Sequence, residues 1–537
     1  MKRFFTLLIA ILISFSVIGT AYATSSHLID VGESDDTEAK VYANVTMEDD
    51  FADDRVLVVL SNEASLQFNS YIADDFAEIS CLAVEDMSRA SGNRIKTLVE
   101  ARLLSAVASS NEICSDEADK IARYNQVLSL TISEPGKQNV LDAIDILMRR
   151  EDVIYAGPDY LYTVETPFTS VRVVDLNGTP LAAQRIQLSE AWNITTGSDS
   201  VIVGVLDSGI DATHPDLVNQ VNVALSGDFS GETPVLGVSN YSDQHGTHVA
   251  GIIAGEGNNS YGAAGVCKNV TLVSLKVMRG LVLESSSLQR AIEYAGEVGI
   301  QILNLSAMLS TGSDVYDLAL KTTIENYPGL LVCAAGNSNG NNDSVPNYPS
   351  SYGLDNIIAV GASDSLDQRW EDSNYGETTV DIFAPGVSIV STLPNGNYGQ
   401  ISGTSMAAPY VTGVAALMLS VCPDMTPVEI KTRIMAYSDE VNALQQYCES
   451  GARLNAYRPL LYAHTLEYTE QGLFSHLVHC DCGLEHTEAH SWLEFGTKFR
   501  CGKCGFITSA IPEVEQKRKQ EQGFTTETAC QHIGAEE

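Results

Sequence analysis

Three short segments of this chain bring together a carboxylate, an imidazole and a hydroxyl. The first, Val201-Ile-Val-Gly-Val-Leu-Asp207-Ser-Gly-Ile-Asp211, ends an apolar run on an acid. The second, His245-Gly-Thr-His248-Val-Ala-Gly, sets an imidazole at the head of a small-residue stretch. The third, Gly403-Thr-Ser405-Met-Ala-Ala-Pro409, does the same for a hydroxyl. A serine hydroxyl is a weak nucleophile until a base takes its proton, and the base needs an acid to fix its tautomer. One of each is present, which points to nucleophilic attack on a carbonyl.

Such groups work only if the fold brings them together. Val201–Leu206, Val270–Val277, Ile302–Leu305 and Leu330–Ala335 are uninterrupted apolar runs, separated by stretches with helical periodicity. Runs of that length suit strands buried on both faces, and the helices between them suit crossovers, so the expected architecture is α/β, a mostly parallel sheet sandwiched by helices. Asp207 then falls at the C-terminal end of a strand, the edge where sites assemble in open α/β sheets. His245 and Ser405 each open a helix. At such an N-terminus, outward-pointing N–H groups favour developing negative charge. His248 reads as a packing partner.

The three segments resemble the active-site signatures of the subtilisin family, in the same Asp…His…Ser order. The similarity runs over roughly 176–462. It implies a serine endopeptidase in which Ser405 attacks the scissile carbonyl, His245 acts as base and then acid, and Asp207 orients the imidazole. It also implies that Asn337, in Cys333-Ala-Ala-Gly336-Asn337, helps hold the oxyanion. Asn304-Leu-Ser306-Ala-Met308 resembles the family's groove strand, with Met308 where the family usually has Gly, and Asn347 matches a position lining the primary pocket. Asp216 and Asn259 match a calcium site found in many subtilisins, or are plain turn residues. No cofactor is implied for catalysis. The expected partners are polypeptide substrates and the chain's own propeptide. The rival from another class is a binding or adhesion protein on an inactive scaffold of the same kind, for which Met308 and an unusual tail speak.

The remaining sequence sets the context. Lys2 and Arg3 precede an apolar run and Ala21-Tyr22-Ala23, so 1–23 read as a cleaved secretory signal and the product as secreted, with no stable membrane association afterwards. Residues 24–165 read as an acidic lead-in and an α+β inhibitory propeptide, or alternatively a permanent substrate-binding domain. Within them strands are expected at Arg55–Leu60, Val127–Ile132 and from Val153, and helices over Ser88–Ala122 and Val140–Arg149. The catalytic domain is expected over 166–465. The tail, 466–537, is a small Cys/His-rich module in which Cys480, Cys482, Cys501 and Cys504 suit a structural, ribbon-like zinc site or two disulfides. Eleven cysteines cannot all pair internally. Cys81 with Cys114, and Cys422 with Cys448, are candidate bridges, while Cys333 reads as a buried small hydrophobe. The formal charge of −38, from 69 acidic and 31 basic side chains, argues against nucleic-acid and anionic-membrane partners. It suits solubility after export, or steering of basic substrates.

Overall fold

The computed structural model describes residues 39–43, 45–107, 120–164, 172–173, 181–231, 233–238, 244–256, 264–307, 309–310 and 316–461, and six strands between 466 and 508. The N-terminal part contains β1 (Phe51–Leu60), β2 (Cys81–Asp86), α1 (Arg89–Val107), β3 (Val127–Ile132), α2 (Lys137–Leu147) and β4 (Val153–Val164). Two expected elements shift at their edges. β1 begins at Phe51, four residues early, and α2 starts directly after Gly136, whose positive φ breaks the chain there. β1 pairs antiparallel with both β3 and β4, and β3 with β2.

The larger region supplies β5 (Gly197–Asp207), α3 (His245–Ala254), β6 (Asn269–Lys276), β7 (Val282–Glu284), α4 (Ser285–Glu297), β8 (Ile302–Leu305) and β9 (Leu309–Ser310). It continues with α5 (Leu318–Asn326), β10 (Leu330–Ala334), β11 (Ile357–Ser363), β12 (Ile382–Pro385) and α6 (Thr404–Val421). The order β12-β11-β10-β8-β5-β6 is parallel throughout, with short antiparallel strands at both edges.

Alternation along these strands builds a three-layer sandwich. Val203, Val205, Ile302, Leu330, Val332, Ile358 and Val360 pack with α3 and α6 on one face. Leu206, Leu275, Leu303, Leu305, Leu331 and Cys333 pack with α4 and α5 on the other. Each such side chain contributes about 1.5–3 kcal/mol when fully buried. α6 is long and apolar enough to cross a membrane by composition, yet it is almost wholly buried against the sheet.

The N-terminal sheet docks on this sandwich. One face of β1, through Val56, Val58 and Leu60, packs on its own α2. The other, through Leu57 and Val59, packs with Leu318 and Ala319 of α5. Backbone pairing also crosses over. Leu161, Tyr162 and Thr163 of β4 pair antiparallel with β7, and Thr163 and Val164 pair with β9.

Two cysteine expectations fail. Cys448 is a buried thiol with Sγ 3.9 Å from Ala452 O, so no bridge joins it to Cys422, and Cys81 is an unbridged thiol donating to Ala83 O at 3.2 Å. Cys333 is fully buried inside β10, as its apolar neighbours imply. The signal stretch 1–23, Cys114, Cys482 and Cys504 lie outside the described residues, as do the side chains of Cys480 and Cys501. The tail strands form two antiparallel three-stranded sheets, with Cys480 opposite Leu466 and Cys501 opposite Trp492.

Candidate active site

Asp207 ends β5 and is fully buried. Its Oδ1 accepts from the Ser208 N–H at 2.7 Å and the Ser208 hydroxyl at 3.1 Å, so the strand's own next residue fixes the carboxylate. His245 is the first residue of α3, and its Nδ1 lies 2.9 Å from both carboxylate oxygens. The close approach depends on Gly246. A Cβ there would lie 2.3 Å from Gly209 O and 3.1 Å from Asp207 Oδ1, which no side chain could accept. With Nδ1–H given to Asp207, the proton-accepting nitrogen of the ring is Nε2.

His248, one turn further along α3, has a different task. It is fully buried, its Nε2 bonds Gly399 O at 3.1 Å, and burial pushes its pKa down to about 3. A ring that stays neutral and spans two elements ties α3 to the strand Asn397–Ile401. Ser391 and Thr392 hydroxyls add bonds to the carbonyls of His248 and Thr247.

Ser405 is the second residue of α6 and nearly fully buried. Its hydroxyl donates to Ser306 O at 3.1 Å, and the Ser306 hydroxyl donates back to Ser405 O at 2.9 Å. The second bond explains Pro409, which sits inside α6. Proline has no N–H, so the carbonyl four residues earlier, that of Ser405, loses its helical partner. Ser306 supplies the replacement from the neighbouring strand end. The chain of contacts continues through Asn304 Nδ2, which donates to Ser306 Oγ at 2.8 Å, and Thr412 Oγ1, which donates to Asn304 Oδ1 at 2.8 Å. Asn304 and Ser306 thus brace the nucleophile's helix, a job that their place in a groove-strand motif does not reveal.

Asn337 follows Gly336, whose φ of +115° and lack of Cβ let the turn pass within reach of Asn347 and Asn374. Asn337 Oδ1 accepts from both the N–H and the hydroxyl of Thr404, each at 2.9 Å. Holding the oxygen fixes the amide's orientation, so its NH₂ end is the one offered to a ligand. Asn347 is nearly buried and donates to Ala335 O at 2.6 Å, bracing the same turn. Thr404 was not singled out from sequence, although it stands in the Gly-Thr-Ser motif. Met308 lies outside the described residues.

Asp216 is fully buried, and its Oδ2 accepts from the Tyr398 hydroxyl at 2.8 Å. The Asp216 carbonyl takes the Glu256 N–H at 2.9 Å. Asn259 lies outside the described residues, so only half of the expected calcium site can be placed. A carboxylate is a fitting hard-oxygen donor for calcium.

An aligned carboxylate–imidazole pair, a serine at a helix start and an amide presenting N–H groups form the equipment of acyl transfer. Residues 198–452 match the Subtilase family. The chain is 36% identical over 330 residues to the thermophilic serine proteinase of Bacillus sp. (strain AK1), covering 60% of this chain and 77% of that protein. It is 34% identical over 302 residues to thermitase of Thermoactinomyces vulgaris, 56% of this chain and all of that one. The chain belongs to the subtilase family. A third relative, the major intracellular serine protease of Bacillus subtilis (strain 168), is 38% identical over 263 residues, 47% of this chain and 78% of its own length. This subtilase is a serine-type endopeptidase, which does not favour the reading as a binding or adhesion module.

Proposed function

We propose that this subtilase is an exported zymogen that cleaves itself free of its N-terminal unit and then hydrolyses polypeptides through an acyl-enzyme. The reading rests above all on β4. This strand belongs to the N-terminal sheet, yet its last residues are backbone-paired with β7 and β9 of the catalytic region. β9 begins three residues beyond Ser306, the residue that clasps Ser405. A strand added between two edges is the way a protease groove takes an extended peptide. On this reading, 24–165 act as inhibitor and folding aid, 166–465 as the catalytic domain, and 466–537 as an accessory module.

In the mechanism, the Ser405 hydroxyl turns from Ser306 O toward His245 Nε2, which takes its proton as oxygen attacks the carbonyl carbon. Asp207 holds the imidazole in the Nδ1–H tautomer and stabilises the imidazolium that forms. The Asn337 NH₂ and the backbone N–H groups opening α6 receive the negative oxygen. His245 then protonates the leaving amine, and water repeats the sequence to release the acid. Asn347 and Met308 would shape the primary pocket. A calcium ion held by Asp216 and Asn259 would serve stability only, as would zinc on Cys480, Cys482, Cys501 and Cys504. Export rests on Lys2, Arg3 and the apolar run that follows.

Ser405→Ala tests the core of this proposal. Expressed in a host lacking other proteases, the variant should accumulate as a precursor keeping 24–165, while the wild type loses them. Because the first cut is intramolecular, its rate should not depend on protein concentration. Trimming of Ser405→Ala at the same bond would assign processing to another protease. An active wild type that keeps its N-terminal unit would make that unit a permanent domain.

A further inference from the structure

The strand pairing of β4 would accept any peptide backbone, so selectivity must enter through side chains. Two side chains of β4 make specific polar contacts inside the catalytic region: Asp159 accepts from the Ser286 N–H at 2.9 Å, and Tyr162 reaches beside the strand's paired end. Tyr162 is almost fully buried, and its hydroxyl donates to Asp317 Oδ2 at 2.9 Å. Asp317 is itself buried and caps α5, its Oδ1 accepting from the Leu320 N–H at 3.0 Å. Its Oδ2 also takes the Ser285 hydroxyl at 2.5 Å. Tyr352 closes the wall, donating its hydroxyl to Asp317 O at 2.9 Å while its ring stacks on Tyr348 with centroids 4.6 Å apart. Tyr348 in turn bridges Leu309, which is the residue paired with Val164. Leu283, opposite Tyr162 in the β4–β7 ladder, is fully buried beside it.

We propose that Asp317 is the floor of a subsite that selects a tyrosine side chain in the substrate, and that Tyr162 is its first, intramolecular occupant. The proposal rests on the zymogen reading above. Ser285, Asp317 and Tyr352 all belong to the catalytic region, so the floor persists when the N-terminal unit leaves. The carboxylate then keeps Ser285 and Leu320 as donors and lacks a third. A phenylalanine would fill the same space but leave that oxygen with the Ser285 hydroxyl as its one donor, its second lone pair shut away from water. A site built around a substrate hydroxyl discriminates strongly against the analogue without it, because its own buried polar group is stranded. Lysine fits less well, since its ammonium would be stripped of water. Burial also lifts the Asp317 carboxyl above its ordinary range.

The test uses the wild-type enzyme after self-processing, with fluorogenic peptides in which each position upstream of the cut carries Tyr, Phe, Leu or Lys. One position should prefer Tyr over Phe by about tenfold or more in kcat/KM, the yield of one hydrogen bond to a charged acceptor. Asp317→Ser keeps a helix-capping hydroxyl but withdraws the acceptor, and should bring that ratio toward one. If this variant does not fold, Tyr162→Phe in the full chain serves instead, its cleaved N-terminal unit leaving about tenfold faster than the wild-type one. Equal rates for Tyr and Phe at every position, a preference for Lys, or a ratio that survives Asp317→Ser would overturn the proposal. N-terminal sequencing separates the two readings. Loss of 24–165 without tyrosine preference sinks only the subsite, whereas an active enzyme retaining them sinks the zymogen reading and leaves the pocket filled.

Discussion

The two contact regions of this molecule are built from opposite materials. The sheet beneath the active site is joined to α3 and α6 mainly by aliphatic side chains, nearly all fully buried. The junction between the N-terminal unit and α4 and α5 is rich in buried charge. Arg55 reaches Asp159 at 3.1 Å and Glu284 at 3.3 Å, and Asp159 is wholly buried while capping Ser286 N at 2.9 Å. Glu293 takes both the N–H and the hydroxyl of Ser91, at 2.6 and 2.7 Å. Apolar burial is non-directional and needs no specific partner, whereas a buried ion pair is a weak net stabiliser that becomes costly once one partner is lost. The first material suits a platform that must persist through many turnovers. The second suits a contact that is specific and still separable.

Substitutions on either side of this divide should act differently. The largest effect expected is from Asn337→Leu on the platform. It should lower kcat by about 10²–10³-fold with KM nearly unchanged, a magnitude established on a subtilisin itself and carried over here. A loss appearing wholly in KM would make Asn337 a substrate-binding residue and not a stabiliser of charge.

Asp159→Ala strikes the junction alone, because Asp159 leaves with the N-terminal unit. It removes the fully buried partner of Arg55, leaving Glu284 and Asp54, and takes the acceptor from the Ser286 N–H at the start of α4, so the cleaved unit should bind about tenfold to a hundredfold more weakly. The processed enzyme should turn over as the wild type does. Unchanged affinity in a titration of the cleaved unit would show that the junction is held by its apolar face, through Leu57 and Val59, and the contrast drawn above would collapse.

The smallest effect is one of pH. Burial raises the Glu293 carboxyl above its ordinary range, outweighing the opposing pull of Ser91 and Arg94, with Asp86 adding to the rise. Release of the unit returns Glu293 to water and to its ordinary value. A group whose pKa is raised in the docked state stabilises docking fully below its free pKa, and that share fades as pH rises through the docked value. The cleaved unit should therefore dissociate a few-fold faster at pH 7 than at pH 5, read by size-exclusion of the cleaved protein. Glu293→Gln should flatten the difference. A wild-type profile that is already flat would remove Glu293 from the release step.

Much of this protein is legible along the chain because its chemistry is local. Apolar runs mark strands buried on both faces, since only such strands need side chains without polar atoms in every position. The small residues after His245 and Ser405 mark helices packed tightly enough that Gly246 has no room for a Cβ. Those patterns carried the α/β architecture and the triad candidates without any knowledge of contacts. They carried less about edges and partners. The start of β1 depended on its pairing with β4, and the Cys422–Cys448 pairing failed because spacing carries no geometry.

What only the tertiary structure decided are contacts between residues distant in sequence. Pro409 looks like a defect in a helix until Ser306, 99 residues before Ser405, is seen donating to the Ser405 carbonyl that the proline deprives. Thr404 looks like a linker until its N–H and hydroxyl are found fixing the Asn337 amide. Tyr162 and Asp317 meet across 155 residues, on two units whose separate patterns give no hint of each other. The sequence by itself determined which residues could do chemistry and which layers would hold them, because burial and periodicity act over a few residues. The donors and acceptors that set their orientation were decided by packing, because a buried polar group takes whichever partner the fold brings within 3 Å or so, at any separation along the chain.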